Sequence, residues 1–321
     1  MLAKLFLSIF SVFGLLPAFT TSKASFPLDG SGTIDDPYTI STSEELIAFS
    51  ELVNNGTTFE NEYVSLEQNL DLSGSSFTPI GKFEGNNYFY GVFNGHGHYV
   101  ENIYIEGGNV GFFGMLAGTV INFGIESGTI VGACIGSIAS HSMGEPYIVN
   151  CYSKATLKGS RAGGLVDNYN GVIINSWDCA DLTESESSGG LASYSAKRIY
   201  NSYSTNEIGG EILAIADDQT SSISYEQLNS EELANRLNSQ NLYYSTMTEI
   251  YLPLQEWEVR GNTLSFSSNS TNPQTDEIYY YLTHLYWLWP YALICLGFIA
   301  IPIVFVCIEK KRSKNMLTTG E

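Results

Sequence analysis

Positive charge is what this chain has least of. Its 321 residues include 14 Lys plus Arg against 34 Asp plus Glu, and only 15% of all residues are charged. Between Ser25 and His284 the balance is 8 basic against 32 acidic residues, a net of −24. Nucleic acid and anionic lipid are thereby poor partners for that stretch, because both are bound through clustered Lys and Arg. Cations, basic proteins and neutral glycans stay open, and acidity also keeps an exported protein soluble. Cysteine is scarce as well. Of five, Cys295 and Cys307 fall in an apolar run near the C-terminus, which leaves Cys134, Cys151 and Cys179. At most one pair can close among three, so a disulfide scaffold is excluded. The four histidines, His96, His98, His141 and His284, recommend no pairing with a nucleophilic thiol. Long amphipathic helical patterns are rare, whereas 31 glycines suit a turn-rich β protein.

Long apolar runs occur only at the two ends. Lys4, the run Leu5–Leu16 and the small residues Ser22 and Ala24 predict a secretory signal peptide over 1–24. The stretch Ile278–Ile308 carries no Asp, Glu, Lys or Arg, and its heart, 285–308, is long enough for a transmembrane helix of ~20 residues. Tyr279, Tyr280, Tyr281, Tyr286, Trp287 and Trp289 crowd its front and Lys310, Lys311, Arg312 and Lys314 follow it. Interfacial aromatics and the positive-inside rule then predict a single-pass type I protein of the cell membrane, with 309–321 as a cytoplasmic tail.

Between the ends, a glycine followed eleven residues later by an asparagine recurs: Gly91/Asn102, Gly111/Asn122, Gly164/Asn175 and Gly190/Asn201, with Gly136/Asn150 stretched to fourteen. Val100, Val120, Ile148, Ile173 and Ile199 stand two before the asparagines; Tyr104, Tyr152, Trp177 and Tyr203 stand two after four of them. A period of 20–28 residues built from short β-prone pieces predicts an all-β solenoid, a right-handed parallel β-helix with each repeat one coil. Aligned asparagines would pass amide hydrogen bonds up a ladder and tolerate left-handed corners. The aromatics would form a column beside it. Thr42-Ser43-Glu44-Glu45 fits a capping box opening a helix that ends near Asn55-Gly56, placed to cover the open end of the stack. The expected organisation is an N-terminal cap and first strands over 25–84, repeats over 85–210, a C-terminal cap over 211–266 with Leu228, Leu233 and Leu237 on one helix face, and a linker over 267–284.

The segments Gly163-Gly164-Leu165-Val166 with Ile173-Ile174-Asn175-Ser176-Trp177, Gly189–Tyr203 and Ile148-Val149-Asn150-Cys151-Tyr152 resemble the GLUG-motif repeats of exported surface proteins. Gly30-Ser31-Gly32-Thr33, Asp36-Pro37-Tyr38, Pro79-Ile80-Gly81 and Gly91–His98 are similar to the usual lead-in to such arrays. The pattern departs from the motif at His141–Pro146 and at Asp167. The resemblance implies a pectin-lyase-like parallel β-helix at a cell surface and little about chemistry.

Two functions follow as expectations. The first is a non-enzymatic adhesion, ligand-binding or structural module, with glycans or other surface proteins as partners. Its polar corners Asp167–Asn170 and Asp181–Ser188 would carry exposed Tyr169 and Tyr194, which could stack on sugars. The alternative is a polysaccharide lyase or glycoside hydrolase, for which Asp167, Asp178 and Asp181 with Arg161 are the candidates from consecutive coils. No catalytic, cofactor or metal set is otherwise assembled. His96 and His98 lack further ligands and read as a glycine-rich turn, and Glu184-Ser185-Glu186 reads as a solvated corner. Asn272-Pro273-Gln274-Thr275-Asp276 resembles a variant sortase signal, which would make Thr275 a cleavage point and the cell wall an alternative location. In a eukaryotic host, Asn55 and Asn269 would be glycosylation acceptors.

Overall fold

The structure, a computed structural model, describes residues 26–82, 85–207, 215–217, 219–239, 241 and 252–268. The expected signal peptide, transmembrane helix, tail, Thr275 and most of the linker lie outside the described residues. Among those described, no helix is long and apolar enough to cross a membrane.

The chain winds as a parallel β-solenoid of four sheets. Sheet one stacks eight strands: Tyr38–Ile40, Tyr63–Leu66, Val92–Asn94, Thr119–Ile121, Tyr147–Val149, Val172–Ile174, Arg198–Tyr200 and Ile215–Ala216. Sheet two stacks seven: Leu70–Asp71, Tyr99–Glu101, Gly124–Ile125, Tyr152–Ser153, Trp177–Asp178, Tyr203–Ser204 and Ser221–Ser222. Sheet three is made of Ile103–Val110, Gly128–Gly136, Thr156–Gly163 and Asp181–Gly189; sheet four of Phe113–Leu116, Ala139–Ser142, Val166–Asn168 and Ala192–Ser195. Each full coil visits them in that order. Parallel strands on successive coils align like residue with like: Val120, Ile148, Ile173 and Ile199 face one another in register, as do Tyr152, Trp177 and Tyr203.

The coil turns between sheets one and two on Asn122, Asn150, Asn175 and Asn201, whose φ angles are 54°, 54°, 53° and 42°. Asparagine tolerates this left-handed region because its short amide bonds locally, where a β-branched residue would clash. The amides form a file: Nδ2 of Asn122, Asn150, Asn175 and Asn201 donates to Oδ1 of Asn94, Asn122, Asn150 and Asn175 at 3.2, 2.8, 2.9 and 2.8 Å. Asn102 stands elsewhere. Its φ is 55°, but it opens sheet three, aligns with Ser127 and donates to Asp71 Oδ1 at 2.9 Å. The same backbone demand at a different corner gives it the same letter, and Tyr104 after it is an exposed residue outside the aromatic column. The file begins instead at Asn94, because the coil before Asn122 turns on His96, at φ 51°. The glycine column is likewise offset: Gly111, Gly136, Gly163 and Gly189 align, while Gly164 and Gly190 come one residue later and Gly91 precedes a sheet-one strand. A methyl at Gly163 would overlap the Val166 carbonyl oxygen, so the corner from sheet three to sheet four closes only without a side chain.

Inside the coils run Ile103, Ile130, Leu157, Val166, Leu191 and Ile199 as one buried core. At the first coil α1 (Ser43–Asn54), capped by Thr42 and Glu45 in a reciprocal capping box, buries Leu46, Phe49 and Val53 in that core. Phe49 meets Phe59, Phe89 and Phe93 at ring distances of 5.1, 5.4 and 6.0 Å. Solenoid strands begin before the region expected to hold the repeats and run past it, from Tyr38 to Ser222.

The C-terminal part does more than follow the stack. Helices α2 (Tyr225–Leu228) and α3 (Glu231–Asn238) and the antiparallel hairpin Trp257–Arg260/Thr263–Phe266 bury Leu228, Leu233, Leu237, Trp257 and Phe266 against Tyr152, Trp177 and Tyr203, along the outside of sheet two. The strap before the hairpin binds the asparagine file: Asn122 Nδ2 donates to Pro253 O at 2.9 Å, Asn150 Nδ2 to Gln255 O at 2.9 Å, and Trp257 Nε1 to Asn150 Oδ1 at 2.6 Å. A ladder of amides left in water would gain little; covered by the strap, the amides of Asn122 and Asn150 are buried and satisfied.

Candidate binding cleft

Where the hairpin stands off the solenoid, it leaves a cleft of about 550 Å³ between its strands and the edge of sheet two. The volume falls in the range of small-ligand sites, about 300–1,000 Å³. One wall is the turn His96-Gly97-His98 with Tyr99, Glu126, Tyr152 and Lys154; the other is formed by Arg260, Thr263 and Ser265–Ser268. Gly97 sits at φ 83°, and a Cβ there would be 3.3 Å from Phe266 Cβ, so the turn and hairpin touch at the cleft's base.

Several of its polar side chains are held in place. Glu126 accepts from the Tyr152 hydroxyl at 2.7 Å through Oε2 and from Lys154 Nζ at 2.7 Å through Oε1. Lys154 Nζ also lies 5.3 Å from the Tyr152 ring centre, and that ring stacks on Trp177 at 4.7 Å. Burial, aided by the Glu126 charge, pushes the Tyr152 hydroxyl well above its ordinary titration range. Asn69 Oδ1 accepts from the Tyr99 backbone N–H at 3.3 Å, which fixes the amide's orientation, and from His98 Nδ1 at 3.1 Å. His96 Nε2 is 3.4 Å from Ser65 Oγ, which donates to Glu67 at 2.5 Å. Burial holds both imidazoles below the ordinary histidine range, against the opposing pull of Glu67. Arg260 Nε pairs with Glu258 at 2.5 Å. The cleft therefore presents amides, hydroxyls, imidazoles and a guanidinium on a rigid frame. Among the described residues, Glu126 is the one carboxylate lining it.

The residues considered for a carbohydrate-active enzyme do not converge. Asp167, Asp178 and Asp181 belong to sheets four, two and three. Asp167 is fully buried and takes a two-pronged bond from Arg161, Nε at 2.5 Å and Nη2 at 2.8 Å, plus the Ser193 hydroxyl at 2.5 Å. Asp178 is buried inside the stack between Ser153 and Ser204; its Oδ1 accepts from Ala180 N and Asn206 Nδ2 at 3.2 and 3.3 Å, and its Oδ2 has no partner among the described residues. Burial outweighs those bonds and raises its pKa from 3.8 to about 7. Asp181 is exposed and bonded to Thr183. Asp181–Ser188 is not a corner: it lies in the last strand of sheet three, where pairing with Thr156–Gly163 supplies its backbone partners. Tyr169 is not exposed either. Its ring is fully buried over Gly171, whereas Tyr194 is 43% exposed and lies 4.7 Å from the Arg161 guanidinium. Glu184 is exposed and paired with Lys158. Cys134, Cys151 and Cys179 are unpaired thiols, and among the described residues no group of three or more His, Cys, Asp or Glu could hold a metal ion.

Glu126, Lys154 and Arg260 were not singled out from the sequence. Glu126 and Lys154 are 28 residues apart, one coil, and each comes two residues after the sheet-two column position, so register alone places them side by side. Nothing local ties Arg260 to them.

No family model matches the chain. It is 31% identical over 153 residues to halomucin of Haloquadratum walsbyi, a match that covers 43% of this chain and 2% of the much longer relative. A crystal structure from Bacteroides ovatus, of a protein provisionally named an immunoglobulin A1 protease, superposes with a TM-score of 0.48 at 18% identity, over 74% of this chain and 94% of that one. This chain is a parallel β-solenoid with a partial halomucin likeness, and neither comparison assigns it an activity.

Proposed function

We propose that the chain is a surface module that binds a ligand without turning it over, presented on a right-handed β-helix of GLUG-type repeats and anchored by one C-terminal membrane span. The observation that carries the reading is the cleft beside sheet two. Its polar groups converge from a stiff stack and a packed hairpin, while the carboxylates an enzyme would need are scattered over three sheets or consumed in ion pairs. A frame whose side chains are locked in advance loses little freedom on binding, which favours recognition. The partial likeness to halomucin supports a surface setting, and the aromatic-flanked apolar run before the basic tail supports the anchor.

Probing a glycan array with the full chain tests the reading: binding to a defined set of saccharides is expected, with no change in their length. Turnover of any of them, with or without Ca²⁺, would replace the module by a lyase or hydrolase. The mass of the mature C-terminus distinguishes a retained span from cutting at Thr275.

A further inference from the structure

We propose that the cleft selects an acidic saccharide, one whose carboxylate or sulfate meets Arg260 and the His96/His98 turn while its hydroxyls meet Asn69, Thr263 and Ser265. The inference rests on the binding reading above and adds the ligand's charge and class.

Three observations carry it. The first is charge segregation. The exterior has a net charge of −24, with only eight Lys or Arg, yet two of these, Lys154 and Arg260, line this one cleft together with two histidines. Among the described residues its only lining carboxylate, Glu126, is already engaged by Lys154 and the Tyr152 hydroxyl. Lys154 is paired with Glu126 and Arg260 with Glu258, so an anion entering here meets no unpaired carboxylate of the lining.

The second is unused donor capacity. Arg260 is about half exposed; Nε goes to Glu258 and Nη2 to the Phe266 carbonyl at 3.5 Å, which leaves most of its five N–H donors for a ligand. Asn69 fixes Nδ1 of His98 as the donor, so Nε2 is the nitrogen left to gain a proton. Ser265 Oγ is buried at the same wall without a hydrogen-bond partner among the described residues, and a sugar hydroxyl would supply one.

The third is proton coupling. Glu67 favours the charged form of His98 and His96 opposes it, while Tyr99, Glu126, Lys154 and Arg260 line the same cleft; among the described residues no carboxylate besides Glu67 acts on His98 to favour its charge. Burial disfavours the charged form of both rings. A bound anion provides the missing counter-charge, so binding takes up a proton and tightens as the medium becomes more acidic.

The test is calorimetric titration of the full chain with trigalacturonate and a sulfated heparin disaccharide, against maltotriose and sodium sulfate, at pH 7 and pH 5. At least one acidic sugar is expected to bind about tenfold or more tightly than maltotriose, and more tightly at pH 5. Arg260→Ala should weaken it by roughly 10- to 100-fold, as loss of a charged hydrogen-bond donor does, whereas Lys158→Ala, outside the cleft, should leave it unchanged. His98→Gln should flatten the pH response, which keeps the inference testable should the Arg260 variant fail to fold. Maltotriose binding as tightly as the acidic sugars would overturn this inference and leave the binding module standing. Equal binding of sulfate alone would reduce the cleft to a free-anion site. Failure of every saccharide would end both readings.

Discussion

Replacing Asn150 by alanine tests the asparagine file where it carries most. Its side chain makes four hydrogen bonds: Nδ2 donates to Asn122 at 2.8 Å and to the Gln255 carbonyl at 2.9 Å, and Oδ1 accepts from Asn175 at 2.9 Å and Trp257 Nε1 at 2.6 Å. At a net worth of about 1 kcal/mol each, their loss costs about 4 kcal/mol. Holding alanine at φ 54° adds about 1–2 kcal/mol. Asn102→Ala is the control: at φ 55° it pays the same backbone cost, but its side chain only donates to Asp71 and accepts a long 3.5 Å bond from Ser127 Oγ, at an exposed corner. The difference between the two variants should be about 3 kcal/mol, or ~6–12 °C in Tm for a folded region of this size. Asn150→Gly should recover the backbone part and nothing more. Thermal unfolding followed by circular dichroism reads all three. An Asn150→Ala protein no less stable than Asn102→Ala would refute the role given to the file and its strap.

Asp178 should make stability fall as pH rises. Its pKa is about 7 in the fold against 3.8 unfolded, so the folded state binds the proton more tightly; stability is highest below pH 4, declines between pH 4 and 7, and above pH 7 is lower by about 4 kcal/mol. Asp178→Ser, which copies Ser153 and Ser204 in the same column, should raise Tm more at pH 8 than at pH 5; equal shifts would count against a buried ionised carboxylate. Gly163→Ala should prevent soluble expression, because its methyl would meet the Val166 carbonyl, while Gly108→Ala, with nothing within 4 Å, should behave as wild type. Arg161→Ala strands the buried Asp167 carboxylate. Urea unfolding should show a loss of about 2–4 kcal/mol, toward the lower end of buried-pair values because Arg161 is partly exposed; Asp167→Asn in the same background should restore part of it.

Most of the architecture could be read from residue spacing because a solenoid converts sequence distance into stacking. Val120, Ile148, Ile173 and Ile199 recur at one coil's length and do lie in one row. Helix α1 was legible from Thr42 and Glu45 because a capping box is a local device. Spacing failed at Asn102, since glycine-to-asparagine distance cannot tell two left-handed corners of one coil apart. It failed at Tyr169 too, a polar-looking corner whose ring folds inward over Gly171. Histidines 96 and 98 stood out as letters, but their setting did not, because the other wall of the cleft comes from the C-terminal hairpin.

What the amino-acid order determined by itself is the coil: its length, its left-handed asparagine corners and the side chains that repeat on its inner face, all set by contacts one turn apart. What only tertiary structure decided is where the C-terminal segment goes. It lies along sheet two because Pro253, Gln255 and Trp257 satisfy amides of Asn122 and Asn150 that are 105 to 133 residues away. No local pattern encodes such a pairing; it forms because buried amides and exposed aromatic rings on the finished stack need a cover, and the cleft is the space that cover leaves open.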